Sequence, residues 1–237
     1  MRGPELVGYL PIASTIISVA FASRLFVRYR ERGGTHHLWW IVGMLTYGAG
    51  TLTESLTTLT GWHEPVFRAW YITGALLGGA PLAQGTVYLL MKRQTANRLT
   101  VVVASIVVIA ATCVILSPIN YAGVEPYKLT GKVLQWHWVR MFSPFINLYA
   151  VTFLIGGAVF SAFRYKRQRE TYHRYVGNLL IAVGALLPGI GGTFTRFGHT
   201  EVLYVTELIG LTFIYAGFKF NTASAAAPVP VEIAAWS

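Results

Sequence analysis

Seven stretches of mostly apolar residues, at about 5–27, 38–60, 66–91, 98–117, 139–163, 175–195 and 201–220, set the first constraint on this chain. A helix needs about 20 such residues to cross roughly 30 Å of hydrocarbon at 1.5 Å per residue. Each stretch meets that length, which predicts an all-α polytopic membrane protein with seven transmembrane helices. Composition agrees: 54% of the 237 residues are hydrophobic and 12% are charged, and the mean hydropathy is +0.51. The N-terminal "MRGPELVGYLPIAST" lacks a short apolar core followed by a small-residue cleavage site, so it reads as the start of the first span and not as a removed signal peptide.

The charge of +10 is distributed by loop. Arg28, Arg30 and Arg32 follow the first stretch, and Lys92, Arg93 and Arg98 the third. Arg164, Lys166, Arg167, Arg169 and Arg174 follow the fifth. The three loops share one side of the membrane. Only Arg2, Arg68, Lys128, Lys132, Arg140 and Arg196 fall on the other. The positive-inside rule then predicts cytoplasmic basic loops, an outside N-terminus and a cytoplasmic C-terminus in the inner (plasma) membrane. Membrane lipids are the expected contact of the charged margins. A nucleic-acid partner is not expected, because no basic domain stands clear of the bilayer.

"RYRERGGTHH" at 28–37 is echoed by "RYKRQRETYH" at 164–173, an offset of 136. The same offset aligns Gly48-Ala49 with Gly184-Ala185, His63 with His199, Val66 with Val202, Gly74 with Gly210 and Ala80 with Ala216. An internal repeat follows: one three-helix unit at 1–97, a linker helix and outer interfacial loop at 98–138, and a second unit at 139–220. A flexible cytoplasmic tail is expected at 221–237, and Trp136 and Trp138 are placed at headgroup level. One span between two triplets gives both the same orientation, a 3+1+3 parallel repeat about an axis along the membrane normal.

In this architecture the chain resembles the SWEET and PQ-loop sugar and amino-acid carriers, which share the plan and an outside N-terminus. It lacks their Pro-Gln pair, and Pro11, Pro144 and Pro188 do not occupy equivalent positions of the two halves. The layout is also that of the seven-helix opsins, but Lys219 lies at the cytoplasmic end of the last span, too shallow for a retinal Schiff base.

An ionisable group at the centre of a span costs at least about 2.5 kcal/mol and so faces the protein interior. Glu54 and Glu207 each lie six residues from the outer end of a span, about 9 Å deep. An outward-facing ligand pocket is predicted there, with Glu54 and Glu207 meeting Arg68 or Arg196. Tyr71, Tyr204, Gln84 and Asn147 complete its lining. "GGAP" at 78–81 and "PGIGG" at 188–192 are candidate helix breaks, of the kind that border solute sites in carriers; close packing of small residues is the other reading, and the preferred one for the Gly-rich part of the sixth stretch. No histidine falls mid-span, which argues against a haem between helices. His63, His137 and His199 at the outer margin are the one candidate metal set. No cofactor is expected. No HExxH, GxSxG or Walker-type motif occurs, so enzyme function has no positive support. The leading expectation is a small-solute carrier; the alternative is a non-transporting receptor or accessory subunit, with a membrane protein partner or homo-oligomer.

Overall fold

The computed structural model describes residues 6–166 and 172–222. Within them the chain is all-helical, apart from one isolated antiparallel bridge between Ile119 and Leu134. The helices are α1 (Leu10–Arg32), α2 (Thr35–Thr60), α3 (Glu64–Trp70), α4 (Ala80–Leu90) and α5 (Arg93–Leu116). They continue with α6 (Phe142–Ala150), α7 (Gly156–Tyr165), α8 (Tyr172–Arg196) and α9 (Thr200–Thr222). Of the tail expected at 221–237, Asn221 and Thr222 belong to α9, and 223–237 lie outside the described residues.

Five segments are long and apolar enough to cross a membrane: Leu6–Arg32, Arg93–Leu116, His137–Tyr165, Tyr172–Arg196 and Thr200–Thr222. The two remaining sequence stretches depart from that standard for different reasons. α2 is 26 residues long but polar, with Thr51, Thr53, Glu54, Ser55, Thr57 and Thr58 all buried. Much of that polarity is satisfied within the helix: Ser55 Oγ donates to the Thr51 carbonyl at 2.8 Å and Thr57 Oγ1 to the Thr53 carbonyl at 2.9 Å. The rest meets neighbours. Thr15 and Thr51 hydroxyls lie 2.9 Å apart, and Thr58 Oγ1 donates to the Gly8 carbonyl at 2.8 Å. Such bonds let a polar helix sit at the centre of an apolar bundle.

The stretch from Glu64 to Leu90 is divided. α3 runs into a π-helical turn at Tyr71–Leu76, where the Leu77 N–H reaches back to the Ile72 carbonyl at 3.0 Å. The helix then stops at Leu77–Gly79 and restarts as α4, with Pro81 in its first turn. The wide turn brings Gly74 against α2, where a Cβ on Gly50 would stand 3.1 Å from the Gly74 Cα. A second π-helical stretch, Val151–Ile155, joins α6 to α7 without interrupting the rod.

The candidate break at "PGIGG" is corrected: α8 runs continuously through Pro188. Proline cannot bond the carbonyl four residues back, here that of Gly184. That oxygen lies against Gly210 of α9, where a Cβ would come within 2.5 Å of it. The close approach is regular. Gly177 meets Gly217, Gly184 meets Gly210, and Gly191 meets Leu203, an antiparallel register stepping by seven residues on both helices. Glycine here shortens the interaxial distance until backbones touch.

The neighbours form a closed ring: α1 on α2, α2 on α3 and α4, α4 on α6 and the π stretch after it, α7 on α8, α8 on α9, and α9 back on α1. α5 stands outside the ring against α4 and α6, and only its Ala96, Ala110 and Val114 are buried.

The expected interfacial loop at 118–138 is a folded lid. Its Ile119, Leu129, Val133 and Leu134 join Phe67, Trp70 and Tyr71 in one buried apolar cluster. Gly131 lies so close to the Tyr71 ring that a Cβ would meet it at 2.7 Å. Trp136 and Trp138 stack at 6.0 Å and both remain exposed.

Candidate functional site

Two features stand out inside the ring, one at each end. At the end covered by the lid lies a buried carboxyl pair. Glu54 of α2 is 2% exposed and the Glu207 carboxyl lies close to it; the buried Oε2 of each has no hydrogen-bond partner among the described residues. Glu207 of α9 is partly exposed as a residue, but its Oε2 is fully shielded. Two carboxylates side by side in a buried site repel each other, and one proton shared between them would relieve that repulsion. The Trp70 indole N–H donates to Glu54 Oε1 at 2.9 Å. The Tyr47 hydroxyl donates to the Glu207 main-chain carbonyl at 3.0 Å. Tyr204 is buried near them on α9. These contacts tie α2, α3 and α9 together around the carboxyl pair.

The remaining residues of the predicted pocket do not join them. Arg68 is taken by Glu64, one turn earlier on α3: Nε and Nη2 donate to Glu64 Oε1 at 2.9 and 2.7 Å. Its guanidinium also caps the last carbonyls of α5, at Val114 and at Ser117 (2.9 Å). Glu64 in turn accepts from the Tyr121 hydroxyl, and these two donors hold its carboxyl below the usual carboxylate range. Arg196 is exposed at the end of α8. Tyr71 is buried beneath the lid. Gln84 bridges three helices: its amide donates to the Ala96 carbonyl (3.1 Å) and Thr100 Oγ1 (2.8 Å) of α5, and its oxygen accepts from Tyr149 of α6. Asn147 donates to Ser143 Oγ at 3.2 Å on its own helix and is otherwise exposed. The expected pairing of the glutamates with Arg68 thus fails because a nearer carboxylate, Glu64, lies at i−4.

No three His, Cys, Asp or Glu side chains come together as a metal site among the described residues, so His63, His137 and His199 do not converge. His199 Nδ1 instead lies 2.9 Å from Glu201 Oε1.

The second feature was not foreseen. A cavity of about 640 Å³ opens at the basic end, opposite the pocket expected at the lid end. Arg28, Arg32, His36, His37, Arg164 and Arg174 are among its lining residues, with no acidic side chain among the described residues that line it. Arg28 stands over the Phe218 ring at 5.8 Å and Arg174 over Tyr165 at 5.6 Å, which fixes both guanidiniums at the rim. Deeper walls are apolar: Phe21, Leu25, Met44, Leu82, Leu154 and Ile214. Beyond this floor the buried cluster continues through Tyr47 and Leu211 toward the carboxyl pair. Met44 and Glu54 are ten residues apart on α2, about 15 Å along the axis.

The echo between 28–37 and 164–173 was the sequence signal for this cavity, although it reads first as topology. No family model, curated protein or solved structure matches the chain.

Proposed function

We propose that the chain is a seven-pass carrier of the inner (plasma) membrane, here open toward the cytoplasm, in which two three-helix units rock about a central path. α2 and the divided α3–α4 stretch supply the crossings beyond the five apolar ones, and the basic loops face the cytoplasm. The observation that carries this reading is the cavity between the units, open at the basic end. The other end is packed by the lid, Trp70, Tyr47 and the carboxyl pair.

The cavity walls support the repeat. Phe21 and Gly157, Leu25 and Ser161, Arg28 and Arg164, Leu82 and Phe218, and Thr86 and Thr222 all line the cavity, and each pair is separated by 136 residues. The ring has the same internal relation. The α9–α1 seam and the seam between α4 and α6–α7 are the two places where the units would meet. Carriers built from such repeats alternate access by moving one unit against the other around a fixed site. Opening the lid end would separate Glu54 from Glu207 and expose both to water, so a change in their shared proton would accompany the motion. Proton coupling follows from that step.

Accessibility tests this without a known solute. In a Cys113→Ser background, Met44→Cys is expected to react with a membrane-impermeant maleimide from the cytoplasmic side. From the outer side it should react more slowly, at a rate that changes with outer pH between 5 and 8. Reaction from the cytoplasmic side alone at every pH would defeat the carrier reading.

A further inference from the structure

We propose that the basic-mouthed cavity binds a single-chain organic anion, a carboxylate or phosphate monoester carried on an apolar body. This assignment rests on the carrier reading only for calling the ligand cargo; as a binding site it stands by itself.

Four arginines from three helices line the cavity: Arg28 and Arg32 from α1, Arg164 from α7 and Arg174 from α8. None of the four is in an ion pair among the described residues, whose salt bridges are Arg68–Glu64, Lys128–Glu125 and His199–Glu201. Glu31 and Arg32 are the charges that act on Arg28, and Glu31 is not part of the wall. A carboxylate or phosphate entering this wall would be met by charge-assisted, bidentate hydrogen bonds from guanidiniums that no described carboxylate occupies. His36 and His37 stack at 4.1 Å beside them, and His37 Nδ1 donates to the Gly33 carbonyl at 2.6 Å, so the neutral ring offers the anion no further donor and the arginines carry its recognition.

A free inorganic anion would use only the rim. Below it the wall turns apolar within one to two helical turns: Leu25 lies one turn below Arg28, and Met44 two turns below His37. That depth suits a hydrocarbon body. The volume sets its size. At roughly 30 Å³ per small group, the space a water takes in the liquid, the cavity holds about 20 heavy atoms. A chain of eight to twelve carbons with its headgroup fits; a two-chain phospholipid, more than twice as large, does not.

The full chain, in nanodiscs of phosphatidylcholine, is titrated with decanoate and decyl phosphate by thermal shift and isothermal calorimetry. Decanol, inorganic phosphate and phosphatidylglycerol are the comparison probes. Decanoate or decyl phosphate should raise the melting temperature saturably, decanol and inorganic phosphate much less. The pair Arg28→Gln with Arg164→Gln should weaken the binding at least about tenfold, as expected for loss of charge-assisted hydrogen bonds. A Ser161→Phe variant, which shortens the apolar space, should favour hexanoate over decanoate while keeping the arginines. Equal binding of decanol, or affinity unchanged by the arginine pair, overturns the site. Full occupancy by inorganic phosphate refutes the apolar body, and displacement of decanoate by phosphatidylglycerol makes the cavity a lipid headgroup site. If the arginine variants fail to fold, the Ser161→Phe chain-length shift decides. Binding with no outer-side labelling of Met44→Cys would leave the anion site standing and remove only transport.

Discussion

At the scale of single residues, the carboxyl pair was legible because depth can be counted: two glutamates the same number of residues from one membrane face stand at one level. What counting misses is competition. Arg68 is near enough in sequence to be offered to Glu54, yet Glu64, at i−4, and the carbonyls ending α5 take donors from all three of its guanidinium nitrogens. Trp70, which does bond Glu54, carries an apolar label in any hydropathy reading. Replacing it with Phe leaves Glu54 Oε1 without that donor in a buried site. The expected loss is about 1–3 kcal/mol, read from denaturant or thermal unfolding. In a Glu54→Leu, Glu207→Leu background, where no carboxyl is left to strand, Trp70→Phe should cost much less; an equal loss would place its cause in the missing ring and not in the orphaned carboxyl. At the basic end His36 gives a pH signature. Burial, with the His37 and Arg28 charges behind it, pushes its imidazole down to about 4 from 6.5. The unfolded chain then binds a proton that the folded chain refuses between those values, so stability falls as pH drops from about 6.5 to 4. Arg28 and Arg32 from α1, His37 from α2, Arg164 and Tyr165 from α7 and Arg174 from α8 share this cavity wall. His36→Gln should flatten the melting-temperature profile over that window; an unchanged slope would place its cause elsewhere.

Among the elements, helix existence followed from length and apolarity, while helix continuity did not. Two Gly-Pro sequences of similar appearance behave oppositely. At 78–81 the chain breaks, because a π turn has already displaced the helix axis and Pro81 can open a new first turn. At 188–192 it does not, because the carbonyl freed by Pro188 is covered by Gly210 of the neighbouring helix. The deciding partner lies 22 residues away in sequence, outside any local window. What the sequence does hold is the seven-residue spacing Gly177, Gly184, Gly191 against Gly210 and Gly217, which marks a backbone-to-backbone seam. Substitution should therefore divide the α8 glycines by face. A Cβ at Gly184 would stand 2.6 Å from the Gly210 carbonyl, whereas none of the neighbours comes within 4 Å of one at Gly189. Gly184→Val is expected to push α9 away and abolish a cooperative melt. Gly189→Ala should keep the fold and gain up to about 1 kcal/mol of helix propensity. Similar melts for both would mean that the α8–α9 seam is not tightly packed. α5 shows the converse: Val101 at 66% and Val108 at 64% exposure give it a broad β-branched outer face, chemistry suited to lipid more than to a close-packed partner.

For the whole molecule, the two ends of the bundle hold the opposed properties that a rocking carrier requires, and the seams between the proposed units are where motion would be felt. One seam, the divided α3–α4 stretch against α6, is bridged near the lid by the Ser143 hydroxyl of α6, which donates to the Ala75 carbonyl of the π-helical turn at 2.9 Å. The other is bridged by Phe21 of α1, whose ring lies 5.1 Å from both Tyr215 and Phe218 of α9, beside the cavity. Opening the lid end while closing the basic end would part the first contact and compress the second. Ala75→Cys with Ser143→Cys, joined by a short bifunctional maleimide in the Cys113→Ser background, should hold the lid end shut. Met44→Cys would then cease to react from the outer side, yet keep its cytoplasmic reactivity, and anion binding in the open cavity would survive because the cross-link touches none of its walls. Continued outer-side reaction in the fully cross-linked protein would show that Met44 is reached by some route other than separation of the two units, and the repeat would then have no mechanical meaning.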